Sequence, residues 1–248
     1  MTAPRLSVVI PAYNEELRLP NTLEAILSFL SARSEPFEIV VVDDGSSDDT
    51  VGVARRMGSA SVRVLCNGTN RGKGFSVRRG MLVAQAPLRL MSDADLSTPI
   101  EELPGLEEAV RSGADIAIGS RALTASRIEV HQSRYREAMG RVFNRLVRLL
   151  AVRGISDTQC GFKLFTAAAA ETCFGAARLD GFSFDVEALL VARRRGLEIA
   201  EIPVIWRNDA ASRVSTYRGV LAFIDLVRVR LNAWRGLYDQ GLGSGMGL

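Results

Sequence analysis

The sequence predicts an α/β fold, an open and mostly parallel sheet with helices on both faces. Short β-branched runs alternate with stretches of helical periodicity as far as Ser120, the pattern of strands joined by crossover helices. Polar or acidic residues follow three of those runs directly, at Pro11–Glu15, Asp43–Ser46 and Asp93–Asp95. In an open sheet such strand ends converge on one crevice. Finally, 47 % of the 248 residues are hydrophobic and 24 % charged, which is material for a large core in an ordinary folded domain.

The first strand spans Ser7–Ile10 and is closed by Pro11. Pro20 suits the first turn of a helix that carries Leu23, Ile26, Leu27 and Leu30 on one face. Ile39–Val42 reads as a buried strand ending in Asp43-Asp44-Gly45-Ser46, and Asp48 and Asp49 suit the start of a helix through Arg56. Val62–Cys66 is a third strand, Phe75–Gln85 a helix and Leu88–Met91 a fourth strand. A helix near Glu101–Arg111 and a strand at Asp115–Gly119 complete the alternation.

Beyond Ser120 the rhythm stops. Residues 121–132 read as loop, 133–152 as a long arginine-rich amphipathic helix, Phe162–Phe165 as a short strand and Asp185–Arg195 as a helix. Glu198–Trp206 is a last strand, in which Pro203 favours an edge or a strand end. An amphipathic helix over 217–239 precedes a glycine-rich tail. No composition break marks a linker. One domain is expected over 1–216, in two halves that meet near residue 120, followed by the C-terminal helix and tail over 217–248.

Bulk properties exclude several classes. A net charge of +3 and a pI of 9.0 are mild, not the strongly basic footprint of a nucleic-acid-binding domain. Cys66, Cys160 and Cys173 are odd in number and lack metal-ligand spacing, which fits a reduced cytoplasmic interior. Residues 1–6 lack the charged start and apolar run of a secretory signal, and no apolar stretch approaches the roughly 18 residues needed to span a bilayer. Peripheral attachment to the cytoplasmic face of a membrane stays open. Gly72-Lys73-Gly74 has neither the spacing of a P-loop nor that of a dinucleotide fingerprint.

Asp93-Ala94-Asp95 at a strand end is the chemically loudest feature. Two carboxylates so spaced can divide their work, one taking a ribose hydroxyl and the other a divalent Mg²⁺ or Mn²⁺ that bridges a diphosphate. Such an ion neutralises charge on a leaving nucleoside diphosphate. The alternative is an acidic turn capping a helix, which two further polar strand ends alongside disfavour. A phosphotransferase of D-x-D-x-[TV] type is disfavoured too: Ser97 replaces Thr or Val, and the motif follows the fourth strand, not the first.

Four segments, taken in order and spacing, resemble glycosyltransferase family 2: Ser7-Val8-Val9-Ile10-Pro11-Ala12-Tyr13-Asn14-Glu15-Glu16, Val41-Val42-Asp43-Asp44-Gly45-Ser46, Asn70-Arg71-Gly72-Lys73-Gly74 and Asp93-Ala94-Asp95. The resemblance implies a GT-A fold, a nucleotide-diphospho-sugar donor and inversion at the anomeric carbon. Gly119-Ser120-Arg121, Asp157–Phe165 and Phe184-Asp185-Val186-Glu187 are similar to the dolichyl-phosphate β-glucosyltransferase branch, kin of the dolichyl-phosphate mannose synthases. On these motifs, Pro11, Ala12, Tyr13, Glu15 and Asp43 or Asp44 hold the base and ribose, and Arg71 and Lys73 close over the nucleotide. Asp93, with Ala94 beside it, touches the ribose side, and Asp95 takes the metal with Asp93 as its neighbour.

The acceptor decides whether a base is needed. A hydroxyl requires one. A lipid monophosphate, with a second pKa near 6, is already largely a dianion at about pH 7 and needs arginine to position it. Lys73 and Lys163 are the only lysines among 31 Lys and Arg residues, and arginine suits forked phosphate contacts. Arg121 and Arg136 are the leading candidates for an acceptor phosphate, followed by Arg134. Any one of the others, Arg127, Arg141, Arg145 and Arg148, reads as part of a solvated cationic face, whereas the group as a whole favours phosphate binding. Asp157 and Asp185 are bases if the acceptor is an alcohol, and otherwise orient arginine or the acceptor phosphate. His131 reads as loop surface. The expected activity is transfer of a hexose, glucose foremost, from a UDP- or GDP-sugar to a polyprenyl phosphate. Alternatives are a GDP-mannose donor, a hydroxyl acceptor, or a non-catalytic nucleotide-sugar-binding scaffold at a membrane. The terminal helix suits a membrane surface, a partner subunit in a homo-oligomer, or the domain itself.

Overall fold

The computed structural model describes residues 3–58, 60–130, 152, 154–207 and 216–239, side chains at 130 and 216–223 excepted. The strands are β1 (Leu6–Ala12), β2 (Phe37–Asp43), β3 (Val62–Cys66), β4 (Leu88–Ser92), β5 (Ile116–Ser120), β6 (Arg127–Val130), β7 (Phe162–Thr166), β8 (Ile199–Pro203) and β9 (Ile205–Arg207). The helices are α1 (Leu19–Ser31), α2 (Thr50–Met57), α3 (Lys73–Val83), α4 (Leu103–Arg111), α5 (Ala167–Ala176), α6 (Phe184–Arg194) and α7 (Thr216–Trp234).

Seven strands form one sheet in the order β3-β2-β1-β4-β7-β5-β8, and β6 and β9 form a separate parallel pair. Every neighbour pair in the large sheet is parallel except those made by β7, which runs antiparallel to both β4 and β5. Both faces are covered, which is why the strands read as nearly continuous apolar runs. Val9, Val40, Val42, Met91, Ile116 and Phe165 point into one core beneath α3, α5, α6 and α7. Val8, Ile10, Ile39, Val41, Leu90 and Leu164 point into the other, beneath α1 and α4.

The α/β expectation agrees with this architecture, and the local differences have physical causes. β1 does not stop before Pro11. The Ala12 carbonyl accepts from the Asp44 N–H at 2.8 Å, so Ala12 faces β2 and Pro11 faces β4, where pairing has ended at Val9. Its missing N–H therefore removes no ladder bond. Residues 121–132 are not all loop, because β6 finds a partner in β9. The expected strand over 198–206 breaks after Pro203, whose register with Ser120 ends the large sheet at its edge, and the chain resumes in β9. Helix α5 forms on the run Ala167–Ala170, with the Thr166 hydroxyl accepting from the Ala169 N–H as its cap. The expected helix over 133–152 lies outside the described residues.

At the C-terminal end, α7 stops at Trp234, and Gly236 at φ 69° takes the left-handed turn that helix ends favour. Leu226, Val229, Ala233 and Tyr238 are buried in the same core as the sheet. Among the described residues, no helix is long and apolar enough to cross a membrane.

Candidate active site

β1 lies between β2 and β4 and is parallel to both, so the residues after Ala12, Asp43 and Ser92 leave the sheet at one edge. The structure thus brings together the three polar strand ends that the sequence singles out. Hydrogen bonds knit them. The Asn14 N–H donates to Ser46 Oγ at 2.9 Å, the Glu15 N–H to Thr50 Oγ1 at 2.8 Å, and the Thr22 hydroxyl to the Ala94 carbonyl at 2.5 Å. Asn14 and Leu96 sit at φ 55° and 45°. Two left-handed non-glycine residues at one rim are the kind of local strain that collects at functional sites.

The acidic residues after β1 and β2 brace the loops around them. Asp43, buried, accepts from the Gly45 and Ser46 N–H groups, and Gly45 at φ 75° lets the chain turn against Thr69. Asp44, also buried, accepts from the Arg71 and Gly72 N–H groups at 2.9 and 2.8 Å and from Asn67 Nδ2. It therefore shapes the loop that carries Arg71 and Lys73. Glu15 is held in a fork by Arg18 at 2.6 and 2.7 Å. Tyr13 is 41 % exposed at the rim, and the Arg71 guanidinium lies 4.2 Å from the Phe75 ring centroid.

Asp93 and Asp95 leave β4 in a tight turn closed by the Leu96 N–H on the Asp93 carbonyl. Lys73 Nζ reaches Asp93 Oδ1 at 2.6 Å. Burial works against the Lys73 ammonium, but Asp93, Asp185 and Asp95 outweigh it and hold it above the ordinary lysine value. Asp95 accepts the Ser97 N–H at 3.0 Å. Burial, reinforced by the charge of Asp93, pushes its carboxyl above the usual range. Close packing fixes this geometry. A Cβ on Gly72 would meet the Asp180 carbonyl oxygen at 2.3 Å, and one on Gly74 would meet the Leu179 and Gly181 carbonyl oxygens, so the Lys73 loop is clamped against 179–181.

A Cβ on Gly161 would lie 1.9 Å from Asp93 Oδ2, the end of a side chain and not backbone. Gly161→Ala must therefore move the carboxylate while sparing the strand. Activity at the site is expected to fall roughly 10²-fold in kcat/KM, with the melting temperature within about 3 °C of wild type. Full activity in the variant would show that Asp93 has room to spare.

After β5, Arg121 forks onto Asp157, with Nε to Oδ2 at 2.6 Å and Nη2 to Oδ1 at 2.8 Å, and its own N–H adds a third bond. Burial works to raise the Asp157 carboxyl, but the Arg121 fork outweighs it and holds the group below the ordinary range. The guanidinium also lies over the Trp206 ring at 5.4 Å and keeps about a quarter of its side chain exposed. Asp185 is buried against Lys163, Nζ to Oδ1 at 2.7 Å, and Lys163 also donates to the Cys160 carbonyl. Burial raises the Asp185 carboxyl despite the opposing charges of Lys163 and Lys73. Lys163 is the site residue that the sequence reading passes over. Its signal was there: it is one of only two lysines, and it stands between the apolar residues of a strand. Arg134, Arg136 and His131 lie outside the described residues, as do Arg141, Arg145 and Arg148.

An open mixed sheet with a carboxylate pair at its rim is the layout of a GT-A glycosyltransferase fold. The chain belongs to glycosyl transferase family 2, whose family model it matches over residues 7–174. Among its curated relatives, the dolichyl-phosphate β-glucosyltransferase of Drosophila melanogaster is 40 % identical over 250 aligned residues, covering 93 % of this chain and 77 % of the relative. The enzyme of the same name from Homo sapiens is 38 % identical over 251, covering 93 % and 78 %. Among solved structures, mannosyl-3-phosphoglycerate synthase from Rubrobacter xylanophilus superposes with a TM-score of 0.72 at 20 % identity, covering 98 % of this chain and 79 % of that one. Glucosyl-3-phosphoglycerate synthase from Mycobacterium tuberculosis, in complex with Mn²⁺ and UDP-glucose, gives 0.66 at 21 %, covering 99 % and 82 %.

Proposed function

We propose that this protein transfers glucose from UDP-glucose to the phosphate of a polyprenyl lipid of the dolichyl type, with inversion at C1, at the cytoplasmic face of a membrane. The observation that carries the choice of acceptor is the state of the two candidate bases. Asp157 is locked in the Arg121 fork, and Asp185 is buried against Lys163. Neither is poised to take a proton from an alcohol, whereas a phosphate dianion needs none removed. The names of the curated relatives support the same acceptor and sugar, and the UDP-glucose complex of a structural neighbour supports the donor.

The Pro11–Glu15 and Asp43–Asp44 strand ends line the place of the nucleoside, with Arg71 and Lys73 closing on it. Among the described residues, no group of three or more protein ligands is arranged to hold a metal. Asp95 and Asp93 would nonetheless be the residues that hold a Mg²⁺ or Mn²⁺ ion, whose oxygen preference they match. Asp95, whose charged form burial disfavours, is the group that such a cation would relieve. Bound there, the ion supplies charge neutralisation to the leaving group. Lys73 adds a second positive charge beside Asp93, and Arg121, braced by Asp157, orients the acceptor phosphate. An acceptor oxygen forms the new bond at C1, the bond from C1 to the diphosphate oxygen breaks, and the electron pair leaves with UDP.

The test is transfer by purified protein from UDP-glucose and from GDP-mannose to a polyprenyl phosphate and to the matching polyprenol. Product is expected from UDP-glucose and the phosphate alone. Glycosylation of the alcohol but not the phosphate would sink the proposal, and UDP binding without any transfer would favour a non-catalytic scaffold.

A further inference from the structure

Helix α7 carries two apolar stripes where its attachment to the domain needs one. Leu226, Val229 and Ala233, at helical spacing, are buried against the core. On the opposite side, Ile224, Val227, Leu231 and Trp234 also fall at helical spacing, and they are 47, 55, 43 and 84 % exposed. A contiguous exposed apolar stripe marks an interaction surface. At about 100° per residue, Arg230 falls along one border of this stripe and Arg228 and Arg235 along the other, all exposed. An apolar centre between two cationic borders is the layout of a helix lying in a lipid interface, where arginine stems lie along the acyl boundary and their heads reach the phosphates.

We infer that this outer face of α7 docks on an anionic lipid surface. A second copy of the chain is the poorer occupant, since both borders are cationic and two such stripes would meet with like charges opposed. The position of the helix suits the task. A Cβ on Gly181 would lie 3.3 Å from Asp225 Oδ2 of α7, and 179–181 is the segment that clamps the Lys73 loop. Beneath α7, Tyr238 donates to Glu187 Oε1 at 2.7 Å, and Glu187 Oε2 accepts from the Arg178 and Leu179 N–H groups at 2.9 and 2.8 Å. The docking face is thus anchored, through one buried carboxylate, to the loop behind the candidate active site.

The inference does not rest on the acceptor proposed above, because vesicle binding is read without donor or acceptor. Full-length protein is sedimented with vesicles of phosphatidylcholine alone and of phosphatidylcholine with phosphatidylglycerol, and tryptophan emission is recorded. The wild type is expected to pellet with the anionic vesicles and to shift its emission to the blue, a shift that Trp234→Phe removes. Leu231→Glu should weaken vesicle binding roughly tenfold or more, and the paired exposed variant Arg228→Gln/Arg235→Gln by a similar factor, lost at high salt. The paired variant also covers the case in which Leu231→Glu disturbs the fold, which circular dichroism reports. No binding of the wild type to anionic vesicles overturns the inference. So does binding unchanged in the paired variant, or a dimer in sedimentation velocity that Leu231→Glu abolishes while vesicle binding persists.

Discussion

Asp95→Ala is expected to cut hexosyl transfer by roughly 10³-fold or more without loss of fold. Asp95 is held by the backbone N–H and the hydroxyl of Ser97, and its charged form is disfavoured by burial and by Asp93 two residues away, which outweigh those bonds and the charge of Lys73. Lys73 offsets the charge of Asp93, but burial and Asp93 still disfavour a charged Asp95 in the free protein. Removing it should therefore leave the melting temperature of the metal-free protein unchanged or slightly higher. The thermal shift produced by UDP with Mn²⁺ should largely disappear, because binding to the folded state stabilises it only in proportion to affinity. Activity, melting temperature and the ligand-induced shift are measured on one preparation. Wild-type activity in the variant, persisting in excess chelator, would remove the metal from the proposal. A collapsed melting temperature would instead make Asp95 a structural brace.

The first half of the chain was legible because its information is local. Strands β1 to β5 alternate with helices, β1, β2 and β5 are apolar enough to be buried on both faces, and the acidic residues stand where strands end. Adjacent parallel strands must then release those residues at one edge, and they do. The second half resisted because its information is long-range. That β7 inserts antiparallel between β4 and β5 depends on partners some 70 and 45 residues earlier in the chain, and nothing in Phe162–Thr166 itself states a direction. β6 is a strand only because β9 exists. The same limit applies to the site. Asp157 and Asp185 stand out as acidic residues, and the fork on Arg121 agrees with the arginine-orienting role read for Asp157, but that Asp185 meets Lys163 is a tertiary event. The alanine run at 167–170 behind Thr166 is the exception, a local helix signal that the reading of the second half passed over.

Lys163→Met is expected to be the most destabilising single change near the site. The substitution keeps most of the apolar stem that fills the interior of β7 but strands the Asp185 carboxylate, which is buried and accepts its hydrogen bond from Lys163 Nζ. Breaking a buried pair from one side costs about 3–5 kcal/mol, or roughly 10 °C in melting temperature for a chain of this size. The pH dependence identifies the cause. Asp185 already titrates above its ordinary value because burial outweighs Lys163 and Lys73, and loss of Lys163 moves it further up. A carboxyl raised in the folded state favours folding while protonated, and that contribution is lost as pH rises through the folded-state pKa. The deficit of the variant should therefore be largest at neutral pH and shrink as pH falls toward the carboxylate range. Melting curves from about pH 4 to pH 8 would show this convergence, and a deficit constant across the range would mean that packing, not charge, was lost. Adding Asp185→Asn to the variant should restore most of the stability at neutral pH. Transfer should stay low in both, because Lys73, Asp93 and Asp185 lose the charge balance on which the proposed diphosphate site depends.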